Sequence, residues 1–304
     1  MSFNNPAQVA QLAVASGASK AAMSVGKMMV GGILAGAYIA FGSLLAIDVT
    51  AGMPAAWGGL ITLFYGLVFS LGLILVVIGG AELLTGNMAL LPMAVFEGRA
   101  TWARLGLNWL VVTIGNLLGS LLVAYVLAVK TGVIGTMTSA KGTPALANYS
   151  RLAAVAKIKA VGETHLEVFL RAIGCNWLVC LAIWLALAAT SVSGKILGIV
   201  FPITAFVALG FDHVVANMFF LPAAIFVHAP GITLTNTTLN LIFAFLGNMV
   251  GAGLFVAGAY WYLYLRDKPA SDNVEGSVVP TTSAGGASAD AAVVGSGSTR
   301  LARS

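Results

Sequence analysis

Charge is what this chain has least of. Of its 304 residues 8% are charged and 59% are hydrophobic, and the mean hydropathy is +0.97. An ordinary soluble domain is about one-quarter charged, so a water-soluble globular protein is excluded and an integral membrane protein is expected. The net charge of +5 comes from only 15 basic and 10 acidic residues, too few for a nucleic-acid-binding surface. Cysteine is nearly absent. Cys175 and Cys180 lie in one apolar stretch, where a helix turns them in different directions and small apolar packing is expected instead of a bridge. No metal cluster, phosphate-binding glycine loop or nucleophile–base pair is found, so neither enzyme activity nor a cofactor is expected. Glu163, His165 and Glu167 read as a solvated entrance. Residues 1–27 lack the compact apolar core and cleavage site of a secretory leader. Val9, Leu12, Ala13 and Ala15 with Lys20 fit a weakly amphipathic cytoplasmic helix lying at the bilayer interface.

What the chain has in abundance is apolar length. Stretches of about 20 apolar residues span a bilayer, and six are read: 28–48, 58–96, 103–129, 165–189, 196–227 and 236–265. The second and fifth are too long for simple spans, and they contain two copies of one segment. Gly80-Ala81-Glu82-Leu83-Leu84-Thr85-Gly86-Asn87-Met88 is matched in register by Gly210-Phe211-Asp212-His213-Val214-Val215-Ala216-Asn217-Met218, and Pro92 is matched by Pro222. Each copy is followed by Gly-Asn-x-x-Gly, at Gly115-Asn116 with Gly119 and at Gly247-Asn248 with Gly251. Paired interruptions in two halves point to broken helices around a transport site. Three spans per half make the repeat inverted. Gly115, Gly119, Gly247, Gly251, Gly253 and Gly258 provide small surfaces for close helix packing, and Pro92 and Pro222 suit the first turn of a restarting helix.

Lys20, Lys27, Arg99, Arg104, Lys195, Arg266 and Lys268 fall on the side shared by both termini, which places both in the cytoplasm. The loop 130–164 opposes this assignment, with Lys130, Lys141, Arg151, Lys157 and Lys159 on the outside. Residues 267–304 collapse to Ser, Gly, Ala, Val and Asp, the composition of a disordered cytoplasmic tail. The 28–266 region is then the transport domain.

Ionisable groups inside a membrane are functional hypotheses by default. Glu82 and Asp212 occupy equivalent positions, so a shared structural task is expected: accepting bonds from the free N–H groups of each break. His213 corresponds to Leu83, and Thr85 to Val215. Each half therefore contributes one unique polar group, and the pseudo-twofold axis brings the two together. Histidine titrates near neutrality and suits proton transfer. Phe69 and Phe206 precede their breaks and read as apolar constrictions that exclude hydrated ions. Asn87, Asn116, Asn176, Asn217 and Asn248 read as interhelical hydrogen-bonding groups.

At these residues the chain resembles the formate–nitrite transporter family. The resemblance runs from about Lys27 to Arg266. It rests on Phe69-Ser70-Leu71-Gly72-Leu73, Gly80 to Thr85, Cys175-Asn176-Trp177-Leu178-Val179-Cys180-Leu181-Ala182, Gly210 to Phe219, Gly247-Asn248 and Tyr260-Trp261. It implies an all-α polytopic membrane protein of six transmembrane helices, an aquaporin-like inverted 3+3 repeat with broken second and fifth helices. It also implies a homopentamer with one anion path per protomer. Family members carry formate, nitrite, hydrosulfide, or lactate and related monocarboxylates. By resemblance, Thr85 and His213 form the central polar station, Phe69 and Phe206 the hydrophobic constrictions, and Leu73, Leu83 and Leu84 lie nearby. The family also has a lysine seven residues ahead of a glutamate before the fourth span. Seven before Glu167 is Ala160, and a one-residue local shift selects Lys159.

The expectation is transport of a small weak-acid anion across a plasma membrane, or the inner membrane of a bacterium, either proton-coupled or channel-like. The anion, protons and lipid are its partners. The tail fits a eukaryotic source and, with it, nitrite as in fungal assimilation; formate fits the same pore. Competing readings are a passive water or neutral-solute facilitator, weakened because Asn and Pro here are not the Asn-Pro-Ala of a water channel, and a sensor or scaffold acting through the basic loop and tail.

Overall fold

The computed structural model describes residues 3–267, and the tail beyond lies outside the described residues. Regular structure among them is helical, apart from an isolated bridge between Phe3 and Ala189. Among the described residues five helices are long and apolar enough to cross a membrane. These are α2 (Val25–Thr50), α3 (Gly59–Gly79), α5 (Trp102–Lys130), α7 (His165–Ala188) and α10 (Leu234–Tyr264). Between them stand α1 (Pro6–Ala22), α4 (Leu84–Phe96), α6 (Pro144–Lys157), α8 (Val192–Ala208) and α9 (Val214–Phe226). The second and fifth apolar stretches are thus each two helices, α3 with α4 and α8 with α9.

Glycine ends the leading helix at both breaks. Gly80 and Gly210 sit at φ of 79° and 71°, a left-handed conformation that costs other residues a Cβ clash. Three residues then run before the helix restarts. Their backbone groups cannot be left to hydrocarbon, and each half meets this need in the same way. Asn116 Oδ1 accepts from the Leu84 N–H (3.0 Å), and its Nδ2 donates to the carbonyls of Gly32 and Glu82 (2.8 and 2.9 Å). Asn248 Oδ1 accepts from the Val214 N–H (2.9 Å), and its Nδ2 donates to Ala172 and Asp212 (2.8 and 2.9 Å). The asparagines, not the acids, hold the break backbones. Pro92 and Pro222 also differ from expectation. They lie inside α4 and α9, well past the first turn, where each withholds an N–H from the carbonyl one turn earlier.

Small residues set the crossings that carry these asparagines. A Cβ on Gly36 would overlap the Asn116 carbonyl, and one on Gly119 the Ile33 carbonyl; Gly247 and Gly251 meet Phe169 and Ile173 in the same way. Gly253 and Gly258 instead belong to a π-helical turn, Gly253–Gly258, and Gly253 has open space around its Cα. Gly119→Ala is expected to destabilise the protein by about 3 kcal/mol, the upper part of the overpacking range. Gly106→Ala, on the same helix with nothing near it, is expected to be neutral or slightly stabilising. Thermal unfolding of the detergent-solubilised protein tests the pair, and equal midpoints would refute the contact argument.

The N-terminal helix packs much of its apolar side against protein, while Leu12 and Ala15 stay exposed. Val9, Ala10, Ala13, Val14, Gly17 and Ala21 are buried, and Gly17 lies so close to α4 that a Cβ there would overlap the Leu90 carbonyl. A stripe of residues this small fits a neighbouring helix better than an acyl chain. Residues 3–27 are therefore packed into the same compact unit as the rest.

Candidate functional site

The two breaks bring Thr85 and His213 together. Thr85 Oγ1 lies 2.9 Å from His213 Nε2, and both residues are buried. His213 is also the N-cap of α9, where its Nδ1 accepts from the Ala216 N–H at 3.1 Å. That bond uses the Nδ1 lone pair, so in the neutral ring the proton resides on Nε2 and is donated to Thr85 Oγ1. The threonine O–H is then left to donate elsewhere. Leu83, the equivalent residue, has no such side chain and α4 begins without a side-chain cap. Asn176 closes the station from α7, donating to the carbonyls of Thr85 (3.2 Å) and Asn248 (2.8 Å). Cys175 and Cys180 are free and buried.

Phe69 and Phe206 form one aromatic pad. Their rings meet edge to face with centroids 5.8 Å apart, and Phe206 stacks on His213, also at 5.8 Å. The cause is the crossing of α3 and α8. Gly66 lets α3 approach the backbone of Thr204, 2.7 Å from the position of a Cβ, which aligns the two rings. Leu73, Leu83 and Leu84 are fully or almost fully buried in the same apolar core.

A cavity of about 280 Å³ is lined by Phe69, Phe206 and His213 together with Arg151, Lys159, Glu163 and Arg171. The basic loop that opposes the charge rule thus has a local cause: Arg151 and Lys159 face this cavity. Arg151 lies over the Tyr65 ring (5.0 Å) and donates to Thr50 Oγ1 (3.1 Å). Lys159 Nζ donates to Asp212 Oδ1 at 2.8 Å. It stands eight residues before Glu167, on a π-helical turn at Ile158–Gly162. Glu163 corrects the solvated-entrance reading, because its side chain is 3% exposed and paired with Arg171 at 2.6 Å. Glu167 is exposed and completes a capping box with Thr164, while His165 stacks on Phe243.

The equivalent acids do not bond the N–H groups of their breaks. Glu82 accepts from Asn87 (2.9 Å) and Lys20 (2.6 Å). Asp212 accepts from Asn217 (2.8 Å) and Lys159. Asn87 Nδ2 also donates to Asn108, and Asn217 Nδ2 to Asn240. Side-chain donors outcompete the break because Asn116 and Asn248 already occupy its backbone. Each half therefore holds a Lys–acid–Asn–Asn chain; Asn108 and Asn240 were not singled out from sequence, and Lys20 was read only as an orientation and interface residue. The asparagines had a signal: each lies eight residues before its Gly-Asn, as Asn108 to Asn116 and Asn240 to Asn248. The pairing of Lys20 with Glu82 had none, since α1 lies outside the repeat copies.

Comparison with known proteins agrees with this architecture. A family model described as formate/nitrite transporter matches residues 7–262. A probable formate transporter of Methanothermobacter thermautotrophicus is 48% identical over 276 residues, covering 88% of this chain and 99% of its own. The formate channel FocA of Escherichia coli K12 is 35% identical over 280 residues, covering 86% and 95%. Among solved structures, an FNT family ion channel superposes with a TM-score of 0.75 at 30% identity, covering 84% of this chain and 98% of that one. A pentameric formate channel with formate bound gives 0.68 at 32% identity, covering 80% and 98%. This chain, an integral membrane protein and not an enzyme, belongs to the formate/nitrite transporter family.

Proposed function

We propose that the protein carries formate across a plasma membrane as a homopentamer of six-pass protomers, each with its own path and both termini in the cytoplasm, and that transport is coupled to protons. The observation that carries this reading is a buried Thr85–His213 pair whose histidine lines one cavity with two touching phenylalanine rings and with Arg151, Lys159 and Arg171. Arg151, Lys159 and Arg171 raise the local anion concentration. A bare anion at the Phe69–Phe206 pad loses its hydration, which raises its proton affinity. It passes as the neutral acid, with Thr85 and His213 supplying the polar contacts, and Leu73, Leu83 and Leu84 continuing the apolar wall. Formate comes before nitrite because the relatives compared above are named for formate. Nitrite, similarly small, planar and monovalent, is the second substrate expected.

Formate uptake into proteoliposomes held at one internal pH is the test. Uptake is expected to rise as external pH falls, because the protonated fraction at the pad grows. Equal initial rates in acid and alkali would exclude proton coupling. Competition by nitrite and lactate then orders the substrates.

A further inference from the structure

Two buried carboxyl groups meet beside the cavity, Glu163 in its wall and Asp212 behind it. Glu163 Oε1 accepts from Arg171 Nη1 at 2.6 Å, while Asp212 Oδ1 accepts from both Lys159 Nζ and Asn217 Nδ2 at 2.8 Å. Their remaining oxygens, Glu163 Oε2 and Asp212 Oδ2, are buried without a donor. Yet the two carboxyl groups lie within hydrogen-bonding reach of each other. Their side chains are 3% and 0% exposed, so water does not separate them. Two ionised oxygens placed in this way repel, and each also forfeits its solvation. One proton between them removes both costs and forms a short charge-assisted bond.

We propose that Glu163 and Asp212 share a single proton, forming an acid–carboxylate pair that binds and releases it beside the cavity and thereby sets the charge an arriving anion meets. The groups facing the pair come from every neighbouring element. Lys159 lies on the π turn, Arg171 and the Cys175 thiol on α7, Arg151 on α6, Tyr65 on α3 and His213 next to Asp212 in the chain. Burial, then Asp212, push the Glu163 carboxyl up to about 7, against the pull of Lys159 and Arg171.

The sign follows directly. Above that value both carboxylates oppose Arg151, Lys159 and Arg171; below it only one does, and the cavity gains a unit of positive charge. Acidification therefore strengthens anion capture before any proton reaches the anion itself. The shared proton exchanges with bulk water, and no covalent step is involved. Its consequence for transport rests on the function proposed above, but the existence of the pair does not.

Infrared difference spectra of the purified full-length protein test the pair directly. A protonated-carboxyl C=O band is expected to grow as pH falls through about 7. It should vanish in Glu163→Gln and shift in frequency in Glu163→Asp. In proteoliposomes at alkaline pH, Glu163→Gln should lower the KM for formate about fivefold, to the wild-type acidic value, as one unit charge several Å away would do in partly solvated surroundings. The absence of a band titrating near neutrality in the wild type, or its persistence in Glu163→Gln, would overturn the shared proton. An unchanged KM in Glu163→Gln would overturn its control of anion capture. If Glu163→Gln does not assemble, the wild-type titration and the Glu163→Asp shift decide. Wild-type protein that carries no formate refutes the transport reading while leaving the infrared result to stand alone.

Discussion

His213→Asn is expected to lower formate uptake by about tenfold or more, the effect of losing one buried polar contact worth roughly 1.5 kcal/mol at the barrier, while the protein stays folded. The substitution separates two roles of one side chain. The ring caps α9 through Nδ1 and reaches Thr85 through Nε2. Asparagine is among the best N-cap residues, so it can replace the first role, but its shorter side chain cannot span to Thr85. His213→Ala loses both, and it should add a stability loss of about 1 kcal/mol to the same loss of flux. Thr85→Val approaches from the other side: nearly the same volume, no hydroxyl, and uptake lowered to a similar extent. Initial uptake rates and thermal midpoints for the three variants decide the matter. Wild-type uptake in His213→Asn would mean that the histidine is only a helix cap.

Much of this arrangement was legible in the sequence because the repeat has a physical origin. A helix broken in a bilayer needs a glycine to turn it and buried amides to hold its backbone, and both needs recur in each half. Gly80 and Gly210 are therefore readable before any coordinates, whereas Asn116 and Asn248 read only as interhelical links and the break backbones were assigned to Glu82 and Asp212. Thr85 and His213 stood out for the opposite reason, as the polar positions the repeat does not copy. Relations that depend on crossings between distant segments were not legible. Phe69 and Phe206 occupy comparable places before their breaks and read as constrictions, but nothing in the sequence brings the two rings into contact. Only the close approach of Gly66 to Thr204 makes them a single pad. Glu163 sits among exposed neighbours in a charged loop, and its burial follows from the π turn that folds this loop against Asp212. Lys20 was read as an orientation signal. Its pairing with Glu82 depends on α1 packing along α4, which a stripe of alanines and Gly17 permits but does not announce.

Asn248→Leu should have the largest effect on stability. The side chain is fully buried and makes three bonds, from the Val214 N–H and to the carbonyls of Ala172 and Asp212. Leucine of similar volume removes all three and leaves their partners in apolar surroundings. At 1–3 kcal/mol for each unsatisfied buried group, the loss is roughly 3–6 kcal/mol, placed toward the lower figure because polar groups in a membrane find substitute partners. The damage should not stop at stability. Asp212 and Val214 flank His213, so releasing their backbone groups frees the residue that faces Thr85. Uptake should therefore be lost even in the protein that still assembles. Asn116→Leu provides the comparison, since it removes the same three bonds around Glu82 and Leu84, where the break carries Leu83 in place of a histidine. Both variants should lower the thermal midpoint by similar amounts. At a temperature where each remains folded, Asn248→Leu should lose more transport. Equal transport losses at equal stability would show that His213 does not depend on its own break for its position.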